Sequence, residues 1–427
     1  MSMHGIDWLK SLACWDGCNF SPLEVPIVIL RALGNPQNAF KSIHIAGTNG
    51  KGSVATYLEK VAICSGKWNK VGKITSPYLS SVTESACINE NEVEIDKINS
   101  ALIVIKRECE NLCLVPTQYV ALVVSIFYLF KEEQIDIAIV ECGMGGRFDA
   151  TNVLSNKVLN VITSISNDHE VQLGPNLNDI AYHKAGIINC SAPTILGPID
   201  SSLVDIFKRE AELDGSKILL EGVDYFIDEG LLEFQGEKVN FRFTSNEPNY
   251  KIINRVLAYV AARSLEISSE DIIKGLQNAH WAGRFDIYGS TLHSGKAIID
   301  VAHNAEGVRE LFSENVVSYL NQFESITLVA SFLKRKNWIA MCELLIPLLE
   351  LLGSKANLML YSFSDDSVSL SEVSNAFPFI KATEIKSGDE FLDLTAGCVQ
   401  VYFGTTLLYE PFICWAQSQK LSLENGR

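Results

Sequence analysis

No run in this sequence is both long and apolar enough to cross a bilayer. The longest candidate, Val120 to Phe130, covers about half of the roughly 20 residues that a membrane helix needs. Met1 to Lys10 lacks the apolar centre of a signal peptide and carries His, Asp and Lys instead. Positive charge is short as well: 35 Lys plus Arg stand against 51 Asp plus Glu, for a formal net charge of −16. A general nucleic-acid surface needs clustered Lys and Arg to neutralise phosphates, so that class of function is excluded. Internal repeats and low-complexity tracts are missing too. Cysteine, by contrast, is plentiful, with 11 scattered through expected core segments. Cys14/Cys18 and Cys109/Cys113 are spaced i,i+4, which predicts one face of a helix rather than a zinc knuckle. Reduced thiols in a cytoplasmic protein are the simple expectation.

What is present is core. The chain has 427 residues, 47% of them hydrophobic, enough for two domains with full interiors. Short apolar runs alternate with helical patterns. Ser42–Ala46 reads as a strand, Gly52–Ser65 as a helix, Val71–Thr75 as a strand, Gln118–Phe130 as a helix, and Ile135–Glu141 and Val158–Ile165 as strands. This spacing predicts an α/β class protein with a mostly parallel sheet covered on both faces. Lys217 to Thr244 alternates polar and apolar residues around glycine turns and reads as antiparallel hairpins, followed by a helix over Tyr250–Leu265. A second, smaller α/β series starts near Ala297. It runs through strand Ala297–Val301, helix Ala305–Leu320, strand Ser325–Ala330, helix Trp338–Leu352 and strand Leu358–Ser362. Gly289, Ser290 and Gly295 interrupt the pattern, which places the expected boundary between Asp286 and Lys296, so that domains of residues 1–290 and 291–427 are expected. The polar tail after Gln417 is expected to fray.

The chemistry begins between the first strand and the first long helix, at Gly47-Thr48-Asn49-Gly50-Lys51-Gly52-Ser53. An acidic protein can bind an anionic nucleotide only with a local device, and the backbone N–H groups at a helix N-terminus are one. Glycines let the backbone approach phosphate oxygens, Lys51 supplies a point charge, and the Ser53 hydroxyl can reach a magnesium ion. Gly52 separates Lys51 from Ser53, so the spacing differs from the ordinary P-loop.

This loop resembles that of the folylpolyglutamate synthase and dihydrofolate synthase family, members of the Mur ligase superfamily. Thr75-Ser-Pro-Tyr-Leu79 is similar to the family's T-S-P-H-L, and Glu141-Cys-Gly-Met-Gly-Gly-Arg-Phe-Asp-Ala-Thr-Asn152 to its E-x-G-x-G-G-R-x-D-A-T-N. Asp168-His169, Leu173-Gly174, Lys184-Ala-Gly-Ile187, Trp281-Ala-Gly-Arg284 and Asp300-Val-Ala-His-Asn304 follow in the family's order. The resemblance implies a P-loop-type domain followed by a smaller Rossmann-like one. It implies ATP-dependent joining of L-glutamate to a pteroate or folate acid through an acyl phosphate. A folate-ligase-like enzyme joining another acid and amine is the alternative.

Such a reaction asks the protein mainly for positioning and charge neutralisation. The resemblance implies that Gly47 to Ser53, Asn254, Arg284 and Asp300 hold ATP. It makes Ser53, Ser76, Glu141, His169 and a carbamylated Lys184 the magnesium ligands. Lys51, Lys184 and His303 are the catalytic candidates. Tyr119, Phe148, Asp149 and Ala150 occupy positions that would line an acceptor pocket, where an aromatic could stack on a pterin and Asp149 accept from its N–H groups. A carbamate can form only on a neutral amine, so Lys184 is expected to be desolvated. Closure of the small domain over the large one would exclude water from the acyl phosphate. A cytoplasmic monomer that binds neither nucleic acid nor membrane is expected.

The departures from the family cluster away from the nucleotide motifs. Tyr78 replaces the histidine of S-P-H-L and Ser85 the arginine of the E-R pair that follows, while Thr117-Gln-Tyr-Val120 stands where T-x-F-E is expected. Tyr250-Lys251 takes the place of His-Gln before Asn254, Val301 replaces the glycine of D-G-A-H-N, and Lys334-Arg-Lys-Asn337 replaces K-D-K-D. Substrate identity is therefore less fixed than reaction type.

Overall fold

Alternating apolar runs and helices build two separate α/β sheets. The computed structural model describes residues 5–13, 23–290, 294–387 and 391–424. The chain divides into one unit of Met1–Phe241 with Ile253–Ala279 and another of Arg242–Ile252 with His280–Arg427.

The first unit holds eight strands: β1 Lys41–Ala46, β2 Val71–Ile74, β3 Ala86–Ile88, β4 Asn91–Glu92, β5 Ile137–Glu141, β6 Lys157–Ile162, β7 Thr194–Leu196 and β8 Ile218–Leu220. Their order is β4-β3-β2-β5-β1-β6-β7-β8. The pairs from β2 to β8 are parallel, and only β3 and β4 add antiparallel edges. Every residue of β5, and all of β1 after Lys41, is buried, as strands covered on both faces require. One face packs on helices Ile95–Asn111 and Gln118–Glu132 over β2 and β5 and on Leu177–Ala185 and Val204–Asp214 over β6 to β8, while the helix Lys51–Cys64 covers the other. The hairpin strands β9 Tyr225–Asp228, β10 Leu231–Phe234 and β11 Glu237–Asn240 form a small antiparallel sheet.

The second unit contains β12 Asp286–Ser290, β13 Lys296–Ile299, β14 Ser325–Ala330, β15 Ala356–Ser362, β16 Ala382–Lys386, β17 Cys398–Phe403 and β18 Leu421–Leu423, ordered β16-β15-β14-β17-β13-β12-β18. Five of these strands pair in parallel; β12 pairs antiparallel with β13, and β18 antiparallel with β12, at one edge.

Several expectations shift. The chain divides near Ala279, ahead of the expected boundary, because β12 and β13 pair as a hairpin and Gly289 and Ser290 belong to its strand. The polar tail does not fray through its whole length: Leu421–Leu423 pairs with β12. The expected helix Ala305–Leu320 is two helices, Ala305–Leu311 and Glu314–Leu320, broken where the Phe312 backbone leaves helical geometry. Cys109 and Cys113 do not share a helix face, since that helix ends at Asn111, burying Cys109 and exposing Cys113. Cys14 and Cys18 lie outside the described residues. No helix among the described residues is long and apolar enough to cross a membrane.

A buried ion pair ties the glycine-loop helix, Lys51–Cys64, to β2. The Lys73 ammonium lies 2.6 Å from Glu59, with the two side chains 5% and 1% exposed. Removing one partner of such a pair strands the other charge, at a cost of about 3–5 kcal/mol. Lys73→Met is therefore expected to lower the unfolding free energy by that much, read as a lower urea midpoint at unchanged slope, and the double variant Glu59→Leu/Lys73→Met to recover most of it. Equal midpoints for Lys73→Met and the parent would contradict this.

Candidate active site

The carboxyl ends of β1, β2, β5 and β6 meet at one edge of the first sheet, where ligands bind in open α/β folds. β1 runs directly into the glycine loop, and the loop into the helix Lys51–Cys64. Two of its glycines are demanded by geometry. Gly47 has φ +149°, and a Cβ there would lie 1.9 Å from Thr163 Oγ1; Gly50 has φ +87°, and a Cβ would lie 2.3 Å from Asn254 Oδ1. The residues after β6 hold the loop. Thr163 Oγ1 donates to Asn49 O at 2.6 Å, Ser164 Oγ accepts from Asn49 N at 3.0 Å, and Ser166 N donates to Thr48 Oγ1 at 3.0 Å. Sequence reasoning missed these residues: it extended the strand through Thr163 and Ser164 to Ile165 and stopped short of Ser166. Their only signal is a row of hydroxyls directly after an apolar strand. The opening N–H groups of the helix have no intrahelical acceptor, as at any helix start. Lys51 Nζ arches back to Gly47 O at 3.1 Å and Thr48 O at 3.0 Å, so its charge sits over the loop.

Two of the expected metal residues, Ser76 and Glu141, are in contact. Glu141, at the end of β5, is buried and accepts from Ser76 N at 3.1 Å. The hydroxyls of Ser53 and Ser76 and the Asn254 Nδ2 are buried without a hydrogen-bond partner. Hydroxyl and carboxylate oxygens suit a hard cation, and magnesium commonly takes only one or two carboxylates beside phosphate oxygens and water. These residues therefore fit magnesium, although no cluster of three His, Cys, Asp or Glu occurs among the described residues. His169 stands apart in character. It is a left-handed residue (φ +54°) preceding the short helix Glu170–Leu173, with its side chain 38% exposed.

Lys184 is 3% exposed, near the end of helix Leu177–Ala185. Burial, reinforced by the positive charge of Lys51 and opposed by Asp168, pulls its amine down to about 7. The desolvated lysine expected from the sequence is present, and Asp168, absent from the expected ligand set, is the carboxylate that acts on it.

The acceptor residues divide. Phe148 is 41% exposed and meets the His183 ring edge-on at 5.6 Å. Ala150 is buried in the core. Asp149 does a different job from the one expected. Its carboxylate accepts from Met144 N at 2.9 Å, Thr151 N at 2.9 Å, Thr151 Oγ1 at 2.5 Å and Tyr119 Oη at 3.2 Å. It organises the loop after β5 rather than waiting for a ligand.

In the second unit, Asp300 follows β13. Its carboxylate accepts from Ala302 N at 2.9 Å and from the Tyr250 hydroxyl. Burial pushes this carboxyl up, and the Arg284 charge opposes the shift. Arg284 makes no salt bridge among the described residues and donates to Gly283 O at 3.2 Å, while Lys251 Nζ holds Arg284 O at 3.2 Å. Both members of the unusual Tyr250-Lys251 pair thus contact expected nucleotide residues. His303 Nδ1 bonds Val301 O at 3.0 Å, and Asn304 caps the helix Ala305–Leu311.

A glycine loop closing a parallel strand onto a helix, in a unit followed by a second, Rossmann-like sheet, makes this a two-domain Mur ligase-type protein. No family model matches the chain. It is 30% identical over 389 residues to the dihydrofolate synthetase of Saccharomyces cerevisiae, covering 86% of this chain and 85% of that one. The Escherichia coli FolC structure in complex with DHPP and ADP superposes with a TM-score of 0.82 at 23% identity, covering 98% of this chain and 99% of that one. A bifunctional folylpolyglutamate synthase/dihydrofolate synthase with Mn, AMPPNP and L-glutamate bound superposes at 0.79 and 23% identity, with 97% of each chain covered. The chain belongs to the dihydrofolate synthase/folylpolyglutamate synthase family.

Lys184 sets a pH dependence of stability. Unfolded lysine titrates near 10.4, so between about 7 and that value the unfolded chain carries one more proton than the folded one. Stability contributed at this position therefore rises with pH through that window, by roughly 1.4 kcal/mol per unit. Lys184→Met removes the titration. In carbon-dioxide-free buffer its stability advantage over the parent should shrink between pH 7 and pH 9, and a constant difference would show an ordinary, solvated amine.

Proposed function

We propose that this chain catalyses ATP-dependent addition of L-glutamate to dihydropteroate, to folates, or to both. The observation that carries the reading is the buried, deprotonation-prone Lys184 beside Lys51 and the glycine loop, with Glu141 and Ser76 at the neighbouring strand ends. The acid's carboxylate oxygen attacks the γ-phosphorus of ATP, forming an acyl phosphate and releasing ADP. The amine of glutamate then attacks the acyl carbon, phosphate leaves with the C–O electron pair, and the amine loses a proton as the amide forms. Lys51 and the helix-opening N–H groups neutralise charge on the phosphates in transit. Ser53, Ser76 and Glu141 would hold magnesium, which supplies charge stabilisation on the transferring phosphoryl group. Asn254 Nδ2, Arg284 and Asp300 serve the nucleotide, and His303 remains a catalytic candidate of the second unit. Phe148 offers a face to a flat acid, beside Tyr119.

The neutral amine of Lys184 is suited to adding carbon dioxide, giving a carbamate and one proton. The carbamate oxygens would join the magnesium ligands, with His169 the remaining member of the set. Carbon-13 dioxide should label the parent at Lys184 and leave Lys184→Arg unlabelled; a bare amine at saturating bicarbonate would overturn this. A cytoplasmic monomer acting on small molecules, without nucleic acid or membrane, accords with the acidic charge.

Ligation of another acid is the second reading, favoured by the internal engagement of Asp149 and the changes at Tyr119 and Val120. The test is phosphate release with dihydropteroate, reduced folates and unrelated acids, with and without glutamate. Release should require a pteroate or folate together with glutamate, and Lys51→Ala should lower kcat by about 100-fold or more. Turnover only with unrelated acids would establish the second reading instead.

A further inference from the structure

The loop from Gly143 to Thr151 is fastened at one point by a group that the family pattern lacks. Tyr119 stands on the first turn of helix Gln118–Glu132, where the pattern has phenylalanine followed by a carboxylate. Here the following residue, Val120, is 1% exposed within the apolar core, so no charge is present at that step. The tyrosine hydroxyl does polar work from the ring itself. It accepts from Gly143 N at 2.8 Å and donates to Asp149 at 3.2 Å. Asp149 in turn gathers Met144 N and Thr151, and Thr151 Oγ1 lies 2.8 Å from His44 Nε2 on β1. His44 is fully buried and close to Cys142 Sγ, at 3.0 Å, the residue after Glu141. The loop therefore hangs on a closed polar chain between the helix and the strand that leads into the glycine loop. The approach is close enough that a Cβ on Gly143 would lie 2.6 Å from the Tyr119 ring.

We propose that Tyr119 is a positioning residue that fixes the Gly143–Thr151 loop through its hydroxyl and so governs acceptor recognition, not nucleotide binding. The acceptor half of this inference rests on the proposed ligase reading, because the exposed Phe148 lies in the same loop. Removing the hydroxyl strips Gly143 N of its partner and leaves Asp149 one donor short, in a site where buried polar groups need partners. The glycine loop, held by Thr163, Ser164 and Ser166, is untouched.

The test is Tyr119→Phe in the full chain, which keeps the ring and its packing. Hydrogen exchange at the Gly143 and Met144 amides should speed up while the helix Lys51–Cys64 keeps its protection. The KM for the acid should rise about tenfold, with the KM for ATP and kcat at saturating acid within about twofold of the parent. Unchanged exchange, an unchanged acid KM, or an equal rise in both KM values would overturn the inference. A parent enzyme that turns over no pteroate or folate would sink the ligase reading on its own. The exchange measurement would still decide whether the loop depends on Tyr119.

Discussion

Burial of the Lys184 amine, to which the charge of Lys51 adds, is the constraint on which the site depends. Lys51 is satisfied by two loop carbonyls, whereas the amine of Lys184 is withdrawn from water, with the fields of Asp168 and Cys142 opposing the loss of its charge. In water an amine keeps its charge; here burial and the field of Lys51 both work against it. Burial settles the conflict by favouring the neutral form of Lys184. The result is a reactive amine beside one permanent positive charge, at the carboxyl edge of a parallel sheet. Anionic phosphates would complete the electrostatics of such a corner.

The geometry that keeps this corner in place is largely uncharged. Three hydroxyl-bearing residues after β6 fix the glycine loop, and the left-handed backbone at Gly50 brings the loop against Asn254. Neutral hydrogen bonds impose direction without adding charge beside the buried Lys184 amine. The buried Glu59–Lys73 pair performs the same service one layer deeper, binding the loop's helix to the strand that delivers Ser76. The chain of Tyr119, Asp149, Thr151 and His44 sets the neighbouring loop. Phosphate side and acid side are thus organised by separate networks that both start from β1.

Much of this was legible in the sequence, for identifiable reasons. The glycine loop announces itself because positive-φ backbone demands glycine at fixed places, and the parallel sheet because doubly covered strands are uniformly apolar. Glu141 could be placed because it ends a strand. The burial of Lys184 was not readable from its helix, whose pattern admits a solvated lysine; the family resemblance supplied that expectation. Thr163, Ser164 and Ser166 were hidden because hydroxyls are common and carry no periodic signal. Asp149 was misjudged for the opposite reason: a carboxylate in a motif suggests a ligand, yet the amides of its own loop reach it first. Gly289 and Ser290 read as a linker yet lie in β12, because glycine and serine interrupt an apolar pattern without ending a strand, and the strand at Leu421–Leu423 is too short to show alternation.

The central claim is that the site makes an acid electrophilic by phosphorylating it, and isotope transfer tests this most directly. The acid would carry oxygen-18 in its carboxylate and be turned over with ATP and glutamate, and the phosphate released would be weighed. Activation through an acyl phosphate predicts that one carboxylate oxygen-18 appears in each phosphate formed along with the amide. Amide formation with unlabelled phosphate would contradict the account.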